Sequence, residues 1–161
     1  MNHLTPENLY HTGFVVQDLD EAARTMSKAL GYRWTKPATG NERPVVYADG
    51  TRTTVRLNYC YSIDSPHLEL IEAVPGTPWA LKGGSIHHLG YWVDDLVAAS
   101  AELALAGFPL VVCAADDEGN YPARFAHHEG PDGAYIELVE RSVFGKPFDE
   151  WLSTSPRFES D

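Results

Sequence analysis

Apolar and β-branched residues fill positions 9–16 (LYHTGFVV) and predict a strand. Downstream, Leu19, Ala22, Ala23, Met26 and Leu30 recur at helical spacing and predict an amphipathic helix. Asp18 reads as its N-cap, Glu21 as the capping-box partner three residues on, and Gly31 as its stop. Residues 45–48 predict a short strand and Asp49-Gly50 a hairpin turn. Polar and apolar residues alternate over 51–61, as in one half-buried strand, and residues 67–72 predict another. Residues 73–85 hold two prolines and three glycines and read as a linker, which Trp79 and Leu81 should hold against the surface.

The second half repeats the order. Residues 86–93 predict a strand, Asp95 and Leu96 open an alanine-rich helix that ends at Gly107, and residues 108–115 predict a strand. An exposed loop at 116–120 leads to a strand at 123–128, a Gly-Pro-Asp-Gly turn at 130–133 and a closing strand at 134–140. His11 and His88 lie 77 positions apart, as do Gly13 and Gly90, Val16 and Val93, and Asp18 and Asp95. The closing strands match too, ELIE at 69–72 against ELVE at 137–140. An opening frame, a helix and a closing strand that all recur make internal duplication the strongest structural inference. The fold class is therefore α+β, built from two tandem βαβββ modules at 9–72 and 86–141 joined by the linker 73–85. In the extension 142–161, Phe144 and residues 148–152 either form a short amphipathic helix that packs back on the sheet or supply a dimer interface.

Charge narrows the partners. The 161 residues include 12 basic and 23 acidic ones, a formal charge of −11, which repels nucleic acid and anionic membrane surfaces. Cys60 and Cys113 sit in apolar stretches and read as free thiols of a reducing compartment. The N-terminal residues lack a basic and an apolar region of signal-peptide type, and the longest apolar run, 108–115, is too short to span a bilayer. A cytoplasmic protein is expected.

The chemistry follows from strand parity, since alternate residues share a face. His11 shares its face with Gly13 and Val15, and His88 with Gly90 and Trp92; Glu69 and Glu137 interrupt otherwise apolar strands. An unpaired carboxylate there costs several kcal/mol, so something must compensate. Two imidazoles and two carboxylates at equivalent positions of a repeat, brought together across the module interface, would hold one divalent metal ion: Zn, Ni, Co, Mn or Fe. A lone strand histidine is more often structural and a lone glutamate often faces solvent; the repeat is what favours a ligand set of His11, Glu69, His88 and Glu137. Parity turns His87 to the opposite face.

The segments HTGFVVQD at 11–18, HLELIE at 67–72, HHLGYWVDD at 87–95 and PDG at 131–133 leading to Glu137 resemble the vicinal oxygen chelate superfamily, over residues 9–141. The likeness is closest to methylmalonyl-CoA epimerase and glyoxalase I. It implies sheets that form an open, barrel-like cleft, the same four metal ligands, a homodimer and a small-molecule substrate. The His-Glu-His-Glu set is similar to bacterial glyoxalase I, whereas His87-His88 is closer to the epimerase, whose pattern has glutamine in place of Glu69. Met26-Ser27 replace an aromatic pair common in glyoxalase I. The implied function is a metal-dependent isomerase, epimerase or lyase that removes a proton next to a metal-bound carbonyl of a small, fairly apolar substrate. Glu137 is the first choice of base and Glu69 the second, with His67 and His128 as outside candidates. The alternatives are an Fe(II) dioxygenase, against which the second glutamate counts, and a non-catalytic small-molecule binder using Trp92, Tyr91, Tyr135 and Phe125.

Overall fold

The computed structural model describes residues 4–83 and 85–159, so Gly84 of the expected linker lies outside the described residues. Strand β1 (Leu9–Val16) runs into α1 (Leu19–Leu30), where the Asp18 carboxylate accepts from the Glu21 backbone N–H and Gly31 closes the helix at φ 79°. Strands β2 (Glu42–Tyr47), β3 (Arg52–Arg56), β4 (Tyr59–Tyr61) and β5 (Leu68–Glu72) complete the first half. The second half holds β6 (His88–Val93), α2 (Leu96–Leu105), β7 (Leu110–Ala114), β8 (Ala123–Glu129) and β9 (Tyr135–Glu140), followed by α3 (Phe148–Thr154). Asp95 caps α2 by accepting from the Ala98 N–H, as Asp18 does for α1.

All nine strands join one sheet in the order β3-β2-β7-β8-β9-β6-β1-β5-β4. Within it the antiparallel pair of β1 and β6 joins the two halves, flanked by their parallel partners β5 and β9. The sheet's ends, β3 and β4, are joined in the chain by Leu57 and Asn58 alone, so the sheet must curl until its two ends meet. The single strand expected over 51–61 is thus two strands at opposite ends of the sheet. Alternation continues through Leu57, but its N–H bonds to the Asn41 carbonyl, and the Asn58 amide turns aside to Glu72 at 2.7 Å.

Curling sorts the apolar residues into an interior and two outer layers. Inside lie Val45, Val55, Leu57, Ile71, Trp79 and Val112. Outside, α1 covers Trp34, Cys60 and Leu70, while α2 covers Val93, Cys113, Ala126 and Leu138. Trp79 is 1% exposed, so the stretch read as a surface linker drives an indole into the interior, while its Leu81 stays open to solvent. Phe144, Phe148 and Trp151 of the C-terminal extension stack edge-on against Tyr61, with centroids 5.9, 5.3 and 5.9 Å away. The segment packs back on the sheet through these three rings. No helix among the described residues is long and apolar enough to cross a membrane.

Candidate metal centre

The pairing of β1 with β6 places the four expected residues in two rows. Gly13 of β1 is flanked by Glu69 of β5 and His88 of β6; Gly90 of β6 is flanked by His11 of β1 and Glu137 of β9. Each imidazole therefore lies across the glycine of the other module. A Cβ on Gly13 would stand 2.0 Å from His88 Cε1, and one on Gly90 would stand 2.0 Å from His11 Cε1. The repeated His-x-Gly frame has a steric reason: each glycine leaves room for the histidine of the opposite half.

The side chains converge. His11 Nε2 lies 2.7 Å from His88 Nε2, 3.1 Å from Glu69 Oε2 and 3.2 Å from Glu137 Oε2. His88 Nε2 lies 3.0 Å from Glu69 Oε2 and 3.3 Å from Glu137 Oε2. All four residues are buried, at 0–7% exposure. Ligands at about 2.0–2.2 Å from one ion stand about 2.8–3.6 Å apart at right-angled to tetrahedral geometry, which brackets most of these spacings. One proton can occupy the line between two imidazole nitrogens, yet four lone-pair atoms face a common point, and Glu137 Oε2 meets only the same two imidazoles among the described residues. The donor set fits a divalent cation.

Burial alone would neutralise these groups, but mutual attraction outweighs it. Burial opposes the charge on His88, yet Glu137 and Glu69 push its pKa up to about 10, and they raise His11 as well. Burial would also raise the carboxylates; the imidazoles hold Glu69 below its ordinary value, and the charge of His88 holds Glu137 well below. The metal-free cage therefore keeps protons at neutral pH that a cation has to displace. Metal affinity is expected to rise as pH climbs through neutrality toward 10 and to fall on acidification, with proton release seen as buffer-dependent binding enthalpy in calorimetry.

His87 lies outside the quartet but not on the opposite face. It precedes β6, so strand parity does not govern it; its Nδ1 lies 2.9 Å from His88 Nδ1 and its Nε2 lies 2.7 Å from the Pro78 carbonyl. One tautomer satisfies both contacts: His88 Nδ1–H donates to His87 Nδ1, His87 Nε2–H donates to Pro78, and His88 Nε2 is left bare for a cation. Burial lowers the His87 pKa to about 4, keeping that acceptor free. His87→Ala is expected to weaken metal affinity about 10–100-fold, read by competition with a chelating dye. His11 has no such support: its Nδ1 is without a hydrogen bond among the described residues.

The outside candidates divide. His128 is a satisfied core histidine, with Ser100 Oγ at 2.8 Å from Nε2 and the Phe108 carbonyl at 2.8 Å from Nδ1. His67 is half-buried with its Nδ1 3.2 Å from the Ser62 carbonyl; with His11, Tyr10, Trp92 and Phe148 it lines an outer groove of about 670 Å³. The histidine that sequence reasoning passed over is His127. It pairs in register with Glu137, its Nε2 is 3.9 Å from Glu137 Oε1, and neither ring nitrogen has a hydrogen bond among the described residues. Burial holds its pKa down to about 3. His127 and both carboxylates line an inner cavity of about 100 Å³ together with Trp79, Phe125 and Phe144. Of the aromatic candidates, Phe125 reaches that cavity and Trp92 the outer groove, whereas Tyr91 packs in the outer layer beneath α2.

Two units of the βαβββ plan, the first with its third strand broken into β3 and β4, pool imidazoles and carboxylates in one buried cage and define a paired-module protein with a candidate divalent-metal centre. Comparison with known proteins agrees: the model of the glyoxalase/bleomycin resistance protein/dioxygenase superfamily matches residues 10–127, and the chain belongs to that superfamily. An ethylmalonyl-CoA/methylmalonyl-CoA epimerase from Cereibacter sphaeroides is 26% identical over 136 residues, spanning 82% of this chain and 96% of the relative. A methylmalonyl-CoA epimerase solved with methylmalonyl-CoA and NH4+ superposes with a TM-score of 0.51 at 20% identity, covering 83% of this chain and 93% of that one. A variant of the Streptomyces coelicolor methylmalonyl-CoA epimerase, in complex with 2-nitronate-propionyl-CoA, gives 0.50 at 21% identity, covering 83% and 96%. The two structures share the fold.

Proposed function

We propose that this protein is a metal-dependent epimerase or related isomerase that removes a proton from the carbon next to a carbonyl of a small, fairly apolar substrate. The observation that carries this reading is that both carboxylates of the cage, Glu69 and Glu137, also line the inner cavity. His11, Glu69, His88 and Glu137 would hold the cation, which would supply Lewis-acid polarisation of the carbonyl and so acidify the adjacent C–H.

The residues of the chain do the rest. Glu137 takes the proton: its carboxylate lines the cavity, and the neighbouring His127, which burial keeps uncharged, does not neutralise it. Glu69, which projects from the other module into the same cavity, is the second choice of base; whichever carboxylate takes the proton returns it to the carbon, so that no proton is gained or lost over the cycle. Trp79, Phe125 and Phe144 keep water out of the cavity, and dry surroundings strengthen each charge interaction within it. At about 100 Å³ the cavity takes the reacting end of a substrate and leaves its remainder outside.

Acyl-CoA thioesters with a branched, acidic α-carbon, the class named for the relatives, are the first substrates to test. Incubation of the metal-loaded protein with such a thioester in D₂O is expected to exchange the α-proton and to interconvert the two epimers. Absence of exchange with thioesters and with hemithioacetals, or oxygen consumption with a catechol instead, would overturn the reading.

A further inference from the structure

The distribution of arginine partners singles out two residues. Arg24, Arg33, Arg56 and Arg141 each sit within 4.0 Å of a carboxylate oxygen, and Arg52 and Arg157 donate to backbone carbonyls. Among the described residues, Arg43 and Arg124 form no salt bridge, although the chain carries 23 acidic residues. Both are half-buried, and both line the inner cavity with Glu69 and Glu137.

Each is aimed there by the fold. Arg43 lies two residues before Val45 on β2 and shares the inward face on which Val45 joins the interior core. Arg124 sits in an irregularity of β8: Ala114 pairs with Ala123 while Cys113 pairs with Ala126, leaving Arg124 and Phe125 as extra residues. Its φ of 66° is the sole positive value among the described non-glycine residues. Bulky side chains rarely adopt that conformation, and such a cost is typically kept where a side chain has to be redirected. Arg43 hydrogen-bonds Tyr59, another lining residue, and the charges of both guanidinium groups act on its hydroxyl.

We propose that Arg43 and Arg124 form an anion-binding subsite, and that the substrate carries a carboxylate which this pair receives while the reacting carbon lies between Glu69 and Glu137. The proposal rests on the proton-abstraction reading of the cage and adds to it the two residues of this chain that would receive the substrate's acid group. Two guanidinium forks can meet a carboxylate with charge-assisted hydrogen bonds, and at a half-buried site they discriminate against an uncharged analogue.

The test compares two probes, the N-acetylcysteamine thioester of methylmalonic acid and the methyl ester of that compound, which differ by one negative charge. Metal content is measured first, so a failure of the cage reading is seen before any probe is added. By calorimetry the metal-loaded protein is expected to bind the acid about tenfold or more tightly than the ester. In R43Q/R124Q that preference should fall to near unity with metal content unchanged, while R43K/R124K keeps part of it. R124G supplies a fold-independent control, because glycine accepts φ 66°: its melting temperature should hold or rise while the preference falls. Equal binding of acid and ester by the wild type, binding of neither, or a preference retained in R43Q/R124Q would overturn the proposal. Loss of metal from the glutamine variant would do so as well, since it would make the arginines supports of the cage.

Discussion

Glu137→Ala and His88→Ala, made separately, are each expected to lower metal affinity by more than about 100-fold, beyond the 10–100-fold typical of losing a supporting partner. Each removes one of four converging atoms from a buried cage, and the survivors then face like charge or an empty wall. Metal content after gel filtration, with a competition titration for affinity, checks the result. Unchanged metal content in both variants would remove the basis for a metal centre. Glu137→Gln separates two roles of one residue: it keeps an oxygen ligand but cannot take a proton. It should retain much of its metal while α-proton exchange falls by a factor of about 10²–10⁴.

Gly90→Ala should be nearly as damaging, although it adds a single methyl group and touches no ligand atom of its own. The new Cβ would stand 2.0 Å from His11 Cε1 and 2.3 Å from His11 Nδ1, so the ring has to leave its place over the strand. We expect a stability loss of about 1–3 kcal/mol, the usual cost of overpacking, together with at least a tenfold loss of metal affinity. Gly13→Ala should act in the same way through His88, whose ring lies 2.0–2.4 Å from the position of the missing Cβ. Chemical denaturation and metal titration of both variants check this. Wild-type metal binding in Gly90→Ala would show that the imidazole has another place to go.

How much of this was legible in the chain depended on whether the signal was local or repeated. The caps of α1 and α2 were local: an aspartate, an apolar stripe and a glycine stop. The quartet was legible because the same frame occurs twice, so His11 pointed to His88 and Glu69 to Glu137 without knowledge of the pairing. The break between β3 and β4 was not, because Thr51 to Tyr61 keeps its alternation through a joint that the curl of the whole sheet imposes. Trp79 was misplaced for a similar reason: proline and glycine around it say nothing about which distant strands will bury it. His127 was missed because the irregularity at Arg124 resets the parity of β8, so the register with Glu137 is settled by the pairing and not by counting. His87 escaped the same rule by standing one residue outside its strand.

The curl that joins β3 to β4 has a further consequence, for how copies of this chain meet one another. A flat nine-stranded sheet would offer two long borders of unpaired backbone, each a template for a stranger's strand. Here one border is β4, three residues long, and residues 34–38 already cover it: Ala38 and Tyr59 exchange both backbone hydrogen bonds, at 2.8 and 3.1 Å. The other is β3, whose five residues begin and end on exposed arginine. Positive charge at both ends of a short border disfavours an identical border laid against it. Strand addition between copies is therefore disfavoured, and the same protected borders guard a sheet-rich chain against fibril growth.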